Sequence, residues 1–173
     1  MGFTLVELAV TVAVVAVLAT LAIPSFSEVL RQWRRDSATR ALSGSLQLAR
    51  AEAIKSTRRT VICPSMNGTS CANGTEWRNG WIVFVDDGAT DLAYDAGERV
   101  LSVAGVQGGI ASLVSSGGIS SLQFLPNGLL MAPGAAGITT TFTITPTGAT
   151  SQTKVDRIAV SRVGRATVTT ELP

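Results

Sequence analysis

The sequence contains no histidine. That absence excludes Ser-His-Asp and Cys-His nucleophilic machinery and every histidine-containing zinc site. Cysteine is scarce: Cys63 and Cys71 stand alone, and their spacing is not C-x-x-C. Two thiols by themselves make a weak metal site. Aromatic residues are only 5% of the chain, which leaves few platforms for stacking bases. The net charge of +2 selects no class of partner. No cofactor is expected, and no nucleophile–base pair is recognisable, so the chain reads as a non-enzyme.

One long apolar run stands out against these absences. From Phe3 to Ile23 the chain is apolar except for Thr4, Glu7, Thr11 and Thr20, and Pro24 follows. The length is about the 20 residues a helix needs to cross a bilayer core. A secretory signal would have a basic start, a shorter apolar core and a small-residue cleavage site. Here nothing basic precedes the core, and Ile23-Pro24-Ser25 is a poor cleavage site. A plain anchor explains the length but not Glu7, because a carboxylate in a membrane helix costs roughly 2.5–3.5 kcal/mol and by default marks a function. Pro24 lacks an N–H, so the Thr20 carbonyl loses its helical partner and the helix can kink or loosen there.

Apolar positions continue past Pro24 at spacings of three and four: Phe26, Val29, Leu30, Trp33, Ala38, Ala41, Leu42, Ser45, Leu46, Ala49 and Ala53. This periodicity predicts an amphipathic helix to about Ser56, continuous with the anchor and about 80 Å long in total. From Arg59 the pattern becomes short β-rich runs separated by Gly, Asn, Asp and Pro. Strands are expected at Thr60–Cys63, Gly80–Asp86, Arg99–Ala104, Ser120–Leu125, Thr139–Thr145, Arg157–Ser161 and Ala166–Thr170, forming antiparallel sheet. Pro126-Asn127-Gly128 and Pro146-Thr147-Gly148 are turn signals. The fold class is α+β, with a long N-terminal helix laid on a β domain.

Gly2-Phe3-Thr4-Leu5-Val6-Glu7 resembles the prepilin cleavage motif of type IV pilins and pseudopilins. Further on, Cys63-Pro64 with Cys71, Trp77, Gly80-Trp81-Ile82-Val83-Phe84-Val85-Asp86 and Gly97-Glu98-Arg99-Val100-Leu101 resemble the GspH/FimT group of that family. So do Phe124-Leu125-Pro126-Asn127-Gly128 and Ile158-Ala159-Val160-Ser161-Arg162-Val163-Gly164-Arg165. The resemblance spans nearly the whole chain and implies the type IV pilin fold. It implies cleavage between Gly2 and Phe3 and methylation of the new amino terminus by a prepilin peptidase. Family leaders end in a basic stretch; here only Met1 and Gly2 precede the cut, and a longer leader is expected upstream. Residues 1–2 are then a leader remnant and 3–27 a transmembrane and fibre-core helix. Residues 28–57 are its amphipathic continuation, and 58–173 a periplasmic β-rich head.

Phe3, Glu7 and Pro24 become the assembly residues. The Phe3 α-amine of one subunit would pair with Glu7 of its neighbour and fix the axial register. Other major and minor pilins, the peptidase and an inner-membrane assembly platform are the implied partners. The implied location is the bacterial inner membrane, then a fibre at the cell surface. Arg31, Arg34 and Arg35 lie after the apolar run, and the positive-inside rule would turn that side to the cytoplasm. The resemblance requires the reverse, and that orientation is the one expected. A domain delivered outward sits in an oxidising space, so Cys63 and Cys71 are expected to form a local disulfide. The cysteine pair and the C-terminal Gly-Arg favour a pilus component over a secretion-system pseudopilin.

Two clusters are candidate sites. Asp86, Asp87, Asp91, Asp95 and Glu98 crowd one segment. Their spacing does not match the D-x-D-x-D-G calcium loop, so a plain hairpin loop is favoured over calcium. The second cluster is Lys154, Arg157, Arg162 and Arg165. Four cations on one edge would hold the phosphates of double-stranded DNA without reading bases. Some members of the resembled group are DNA receptors for natural transformation and carry a C-terminal G-R-x-R motif. Gly164-Arg165-Ala166-Thr167 matches its first arginine and has Thr167 in place of the second. Arginines on a β edge also serve simply to block edge pairing.

Overall fold

A computed structural model describes the chain apart from Met1, Phe3, Asn73 and residues 89–91 and 132–138, and apart from the side chains of residues 20–25. The chain divides into two compact units, Met1–Trp33 and Arg34–Pro173. The first unit consists mainly of the early part of α1, which runs Leu5–Ser56. Thr4 caps its start: the Thr4 hydroxyl accepts from the Glu7 amide at 3.2 Å. The pair has the T-x-x-E spacing of a capping box, and Glu7 lies in the first turn, where the helix dipole favours an acid. Apolar side chains from Leu5 to Leu18 are largely exposed within the chain, Leu5 at 84% and Val14 at 53%. Phe26, Val29 and Trp33 are exposed as well. Among the described residues no helix is long and apolar enough to cross a membrane. Phe3 and the side chains of residues 20–25 lie outside that description, so the membrane expectation for 3–27 returns below as a proposal.

The second unit, the head, holds the packed core. The buried stripe of α1 begins with Arg35 and continues through Ala38, Thr39, Leu42, Ser45, Leu46, Ala49 and Ala53. Three of these are alanines, and small side chains let the helix approach a sheet closely. Among the described residues nine strands follow. They are β1 (Arg59–Pro64), β2 (Trp81–Asp86), β3 (Val100–Ala104), β4 (Ile110–Ser115), β5 (Leu122–Phe124), β6 (Leu130–Met131), β7 (Thr139–Pro146), β8 (Val155–Ser161) and β9 (Ala166–Glu171). They form two sheets, in the orders β3-β2-β1-β5-β6 and β4-β7-β8-β9. Every pairing is antiparallel.

A single core joins the helix stripe to both sheets: Ile62, Trp81, Val83, Leu122 and Phe124 from one, and Leu113, Phe142, Ile144, Ile158 and Val160 from the other. Its two tryptophans keep their N–H groups paired, Trp81 Nε1 with Ser45 Oγ at 2.9 Å and Trp77 Nε1 with the Ile119 carbonyl at 3.3 Å. The reverse face of the first sheet carries a smaller cluster of Val61, Cys63, Ile82 and Phe84, packed on by Cys71, Leu92 and Tyr94. Being covered on both faces explains why β2 reads Trp-Ile-Val-Phe-Val without alternation.

All seven expected strands occur, with ends that differ from the expected ones by at most two residues. Two strands were not expected, and the sheet is double rather than single. β4 escaped because a bulge between Ile110 and Ser112 shifts its register. Its buried apolar residues, Ile110 and Leu113, then fall three apart, against the period of two that a strand should show. β6 has only two residues, too few to carry a period.

Cys63 and Cys71 form the expected disulfide, with Cα atoms 5.6 Å apart. The intervening loop is also tied by Asn67, whose Oδ1 accepts from the Thr69 and Ser70 amides, each at 3.0 Å. So short a closed loop contributes about 2–3 kcal/mol by the chain-entropy estimate. Reduction with the fold otherwise intact is expected to lower the melting temperature by about 4–10 °C, read by circular dichroism with and without reductant. An unchanged melt would mean that the loop is held by its hydrogen bonds alone.

Candidate functional site

The hairpin joining β8 to β9 is built by its sequence. The loop is Arg162-Val163-Gly164, closed by the Gly164 amide on the Ser161 carbonyl at 2.8 Å and the Ser161 amide on the Arg165 carbonyl at 2.9 Å. A three-residue hairpin of this form needs a left-handed residue in third place, and Gly164 takes it with φ of 74°. Ser161 Oγ reinforces the closure, accepting from the Arg165 amide at 3.3 Å. Arg162 and Arg165 therefore flank one turn, and both are exposed.

The four expected phosphate contacts do not form one patch. Lys154 and Arg162 lie at opposite ends of β8, about 26 Å apart along an extended strand. Arg157 points to the face away from the core and pairs with Glu171, Nε to Oε1 at 2.5 Å. Glu171 lies opposite Val155 in the register, at the Lys154 end of the sheet. Only Arg162 and Arg165 are thus brought together. Thr167, which stands where the resembled motif has its second arginine, donates its hydroxyl to the Ala159 carbonyl at 3.3 Å.

Sequence reading missed Arg50 at this corner. Its Nε donates to the Gly128 carbonyl at 3.2 Å. A Cβ placed on Gly164 would lie 2.8 Å from the same Nε. The contact spans distant parts of the chain, and the available signal was weak: the Pro126-Asn127-Gly128 turn and the Gly164 turn both need a close neighbour that only the fold supplies. The Leu130 amide on the Arg162 carbonyl, at 2.8 Å, ties the two loops together.

The acidic segment is occupied by its own loop. Glu98 accepts from three backbone amides: Asp87 at 2.9 Å, Gly88 at 2.8 Å and Asp95 at 2.8 Å. Asp87 pairs with Arg58 at 2.5 Å. Asp86 is buried and accepts from Gln123 Nε2 at 2.7 Å. Asp91 lies outside the described residues. Among the described residues no group of three acids or thiols is arranged to hold a metal.

Of the processing and assembly residues, Gly2 and Glu7 are exposed, and among the described residues no cation pairs with Glu7. Phe3 and the side chain of Pro24 lie outside the described residues. A different ion pair stands at the start of the head. Arg35, buried, sets its Nε 3.0 Å from Asp156 Oδ1, with the two side chains 8% and 4% exposed. Arg35 also reaches Asp36 at 3.0 Å and the Lys154 carbonyl at 3.0 Å. This network fixes α1 against β8.

No curated protein matches the chain significantly. Solved structures do. The type IV minor pilin FimU of Pseudomonas aeruginosa aligns with a TM-score of 0.58 and 20% identity, over 82% of this chain and 90% of that one. A second crystal form of FimU gives 0.55 and 21%, over 80% and 96%. The minor pseudopilin EpsH of the Vibrio cholerae type 2 secretion system gives 0.51 and 15%, over 81% and 98%. At these identities the likeness is one of fold, and that fold is the type IV pilin fold. The sequence profile of the family described as type II transport protein GspH matches residues 38–164, a span that runs from Ala38 of the buried helix stripe through β1 to β8 and ends at the Arg162–Gly164 turn. Fold and sequence agree, and the chain belongs to the GspH family.

Proposed function

We propose that the chain is a minor type IV pilin of the FimT kind. The observation that carries this reading is the exposed apolar half of α1. From Leu5 to Leu18 its large side chains are more than half exposed within the chain. Such a row needs an apolar environment from elsewhere, first a bilayer and then the helices of neighbouring subunits. In this reading residues 3–27 span the inner membrane with the head in the periplasm, and the subunit then enters a fibre at the cell surface. The peptidase cuts between Gly2 and Phe3, the assembly platform lifts the subunit, and other pilins receive it. Glu7 pairs with the Phe3 amine of a neighbour. Pro24 gives the helix its deformability.

A second reading has support of its own. The family description and the EpsH likeness point to a type II secretion pseudopilin. The same assembly chemistry would then build a pseudopilus. DNA contact is a further layer on the pilus reading, and after the separation of Lys154 and Arg157 it rests on Arg162 and Arg165.

Glu7→Ala is expected to deplete the chain from sheared surface fibres by at least tenfold while leaving its membrane level unchanged, read by immunoblot of the two fractions. Breaking an ion pair in an apolar setting costs roughly 3–5 kcal/mol, enough for that loss. A variant that enters fibres as the wild type does would overturn the assembly role of Glu7. The remaining alternative, a membrane-anchored DNA receptor acting outside any fibre, would be absent from the fibre fraction in both forms.

A further inference from the structure

We infer that Arg50 of α1 is a third phosphate-binding residue of the corner formed by the β8–β9 hairpin, and that the three arginines together hold the sugar-phosphate backbone of double-stranded DNA. The inference rests on the DNA reading of Arg162 and Arg165 given above and extends it to a residue on another element. Arg50 is half-buried. Its Nε is committed to the Gly128 carbonyl, which fixes the plane of the guanidinium. The two amino groups of the fork remain, with four N–H donors between them. Gly164 packs against this side chain, so the fork lies directly beside the turn that carries Arg162 and Arg165.

The corner gathers three arginines away from any acid. Elsewhere five arginines meet a carboxylate: Arg31 meets Glu28, Arg35 meets Asp36 and Asp156, Arg58 meets Asp87, Arg99 meets Glu52, and Arg157 meets Glu171. Among the described residues no such pair involves Arg50, Arg162 or Arg165. The Leu125–Leu130 segment and the Ser161–Ala166 hairpin contain no acid. Glu52 is two residues from Arg50, about 200° round the helix, and is bound by Arg99. Glu171 sits at the far end of β9.

Three cations left without counter-charge at one point favour a ligand with several anionic oxygens. A phosphodiester offers two to each fork, the geometry in which arginine exceeds lysine. No aromatic residue lies in either loop, so the contact is with the backbone and not with bases.

The test is a titration of the full chain in detergent micelles with labelled double-stranded DNA of mixed sequence, across a salt series. Wild type, Arg50→Gln, Arg50→Lys and the Arg162→Ala/Arg165→Ala double variant are compared, each with its melting temperature. Arg50→Gln is expected to lower the log–log salt slope by about 0.9, one phosphate contact, and to weaken binding roughly tenfold at low salt. Arg50→Lys is expected to keep the slope and lose affinity, because it keeps the charge without the fork. A double variant with a reduced slope beside an Arg50→Gln protein of wild-type slope would overturn the role of Arg50 alone. If Arg50→Gln does not fold, Arg50→Lys with wild-type affinity would do the same. A wild-type chain that binds no DNA at low salt would overturn the DNA reading and this inference with it.

Discussion

Asp156→Ala is expected to destabilise the head by about 3 kcal/mol, within the range for removing one partner of a buried ion pair. Asp156 is 3% exposed. Its two oxygens serve three donors from two elements, Arg35 Nε at 3.0 Å and Thr39 Oγ1 at 2.7 Å on α1 and Thr170 Oγ1 at 2.8 Å on β9. Alanine removes all three contacts and leaves a buried guanidinium with one carboxylate, Asp36, and the Lys154 carbonyl. Those two remaining contacts are why the estimate sits at the lower end of the range. The melting temperature should fall by about 6–12 °C for a protein of this size. Asp156→Asn, which keeps an acceptor for one hydroxyl, should lose less. The double variant Arg35→Met/Asp156→Leu should recover much of the loss, since apolar pairs often replace buried ion pairs without penalty. A melt within 2 °C of the wild type for Asp156→Ala would show that the network adds nothing to the fold.

Gly164→Ala is the second large effect, expected at about 3 kcal/mol, and it separates two causes. One is backbone strain: φ is 74°, where a Cβ costs roughly 1 kcal/mol. The other is space. A Cβ on Gly164 would overlap the Gly128 carbonyl oxygen and press on the Arg50 side chain, and overpacking against backbone adds roughly 1–3 kcal/mol. Gly148 provides the control. Its φ is 73°, yet nothing lies within 4 Å of its Cβ position. Gly148→Ala should therefore show the strain alone, about 1 kcal/mol. Equal losses at the two glycines would contradict the close packing of the hairpin on the Gly128 loop. The comparison bears on function, because it assigns Gly164 a role in the fold that is independent of any ligand.

The helix was legible because its periodicity is long. Ala38, Leu42, Leu46, Ala49 and Ala53 repeat at three and four over several turns, and all are buried. Pro64, Gly80 and the Pro146-Thr147-Gly148 turn mark strand ends plainly. What stayed hidden was set by contacts across the fold. Phe26, Val29 and Trp33 fit the same helical period as the buried stripe, yet they are exposed, because periodicity marks a face and not what covers it. Arg35 was read as one of three cations after the apolar run, yet it is buried, since only the fold brings Asp156 beside it. The four C-terminal cations looked like one patch because they are close in sequence. A strand spreads its residues, so eight positions carry Lys154 and Arg162 to opposite ends of the sheet. Glu7 was read for its membrane cost and its assembly role, while its spacing from Thr4 also lets the Thr4 hydroxyl cap the helix on the Glu7 amide.

The most direct test of the pilin account is the amino terminus of the chain recovered from sheared surface fibres, read by mass spectrometry. The account predicts a chain present in the fibre, beginning at Phe3 with a methylated amine. A chain found only in the membrane fraction, still carrying Gly2, beside fibres of normal composition would contradict it.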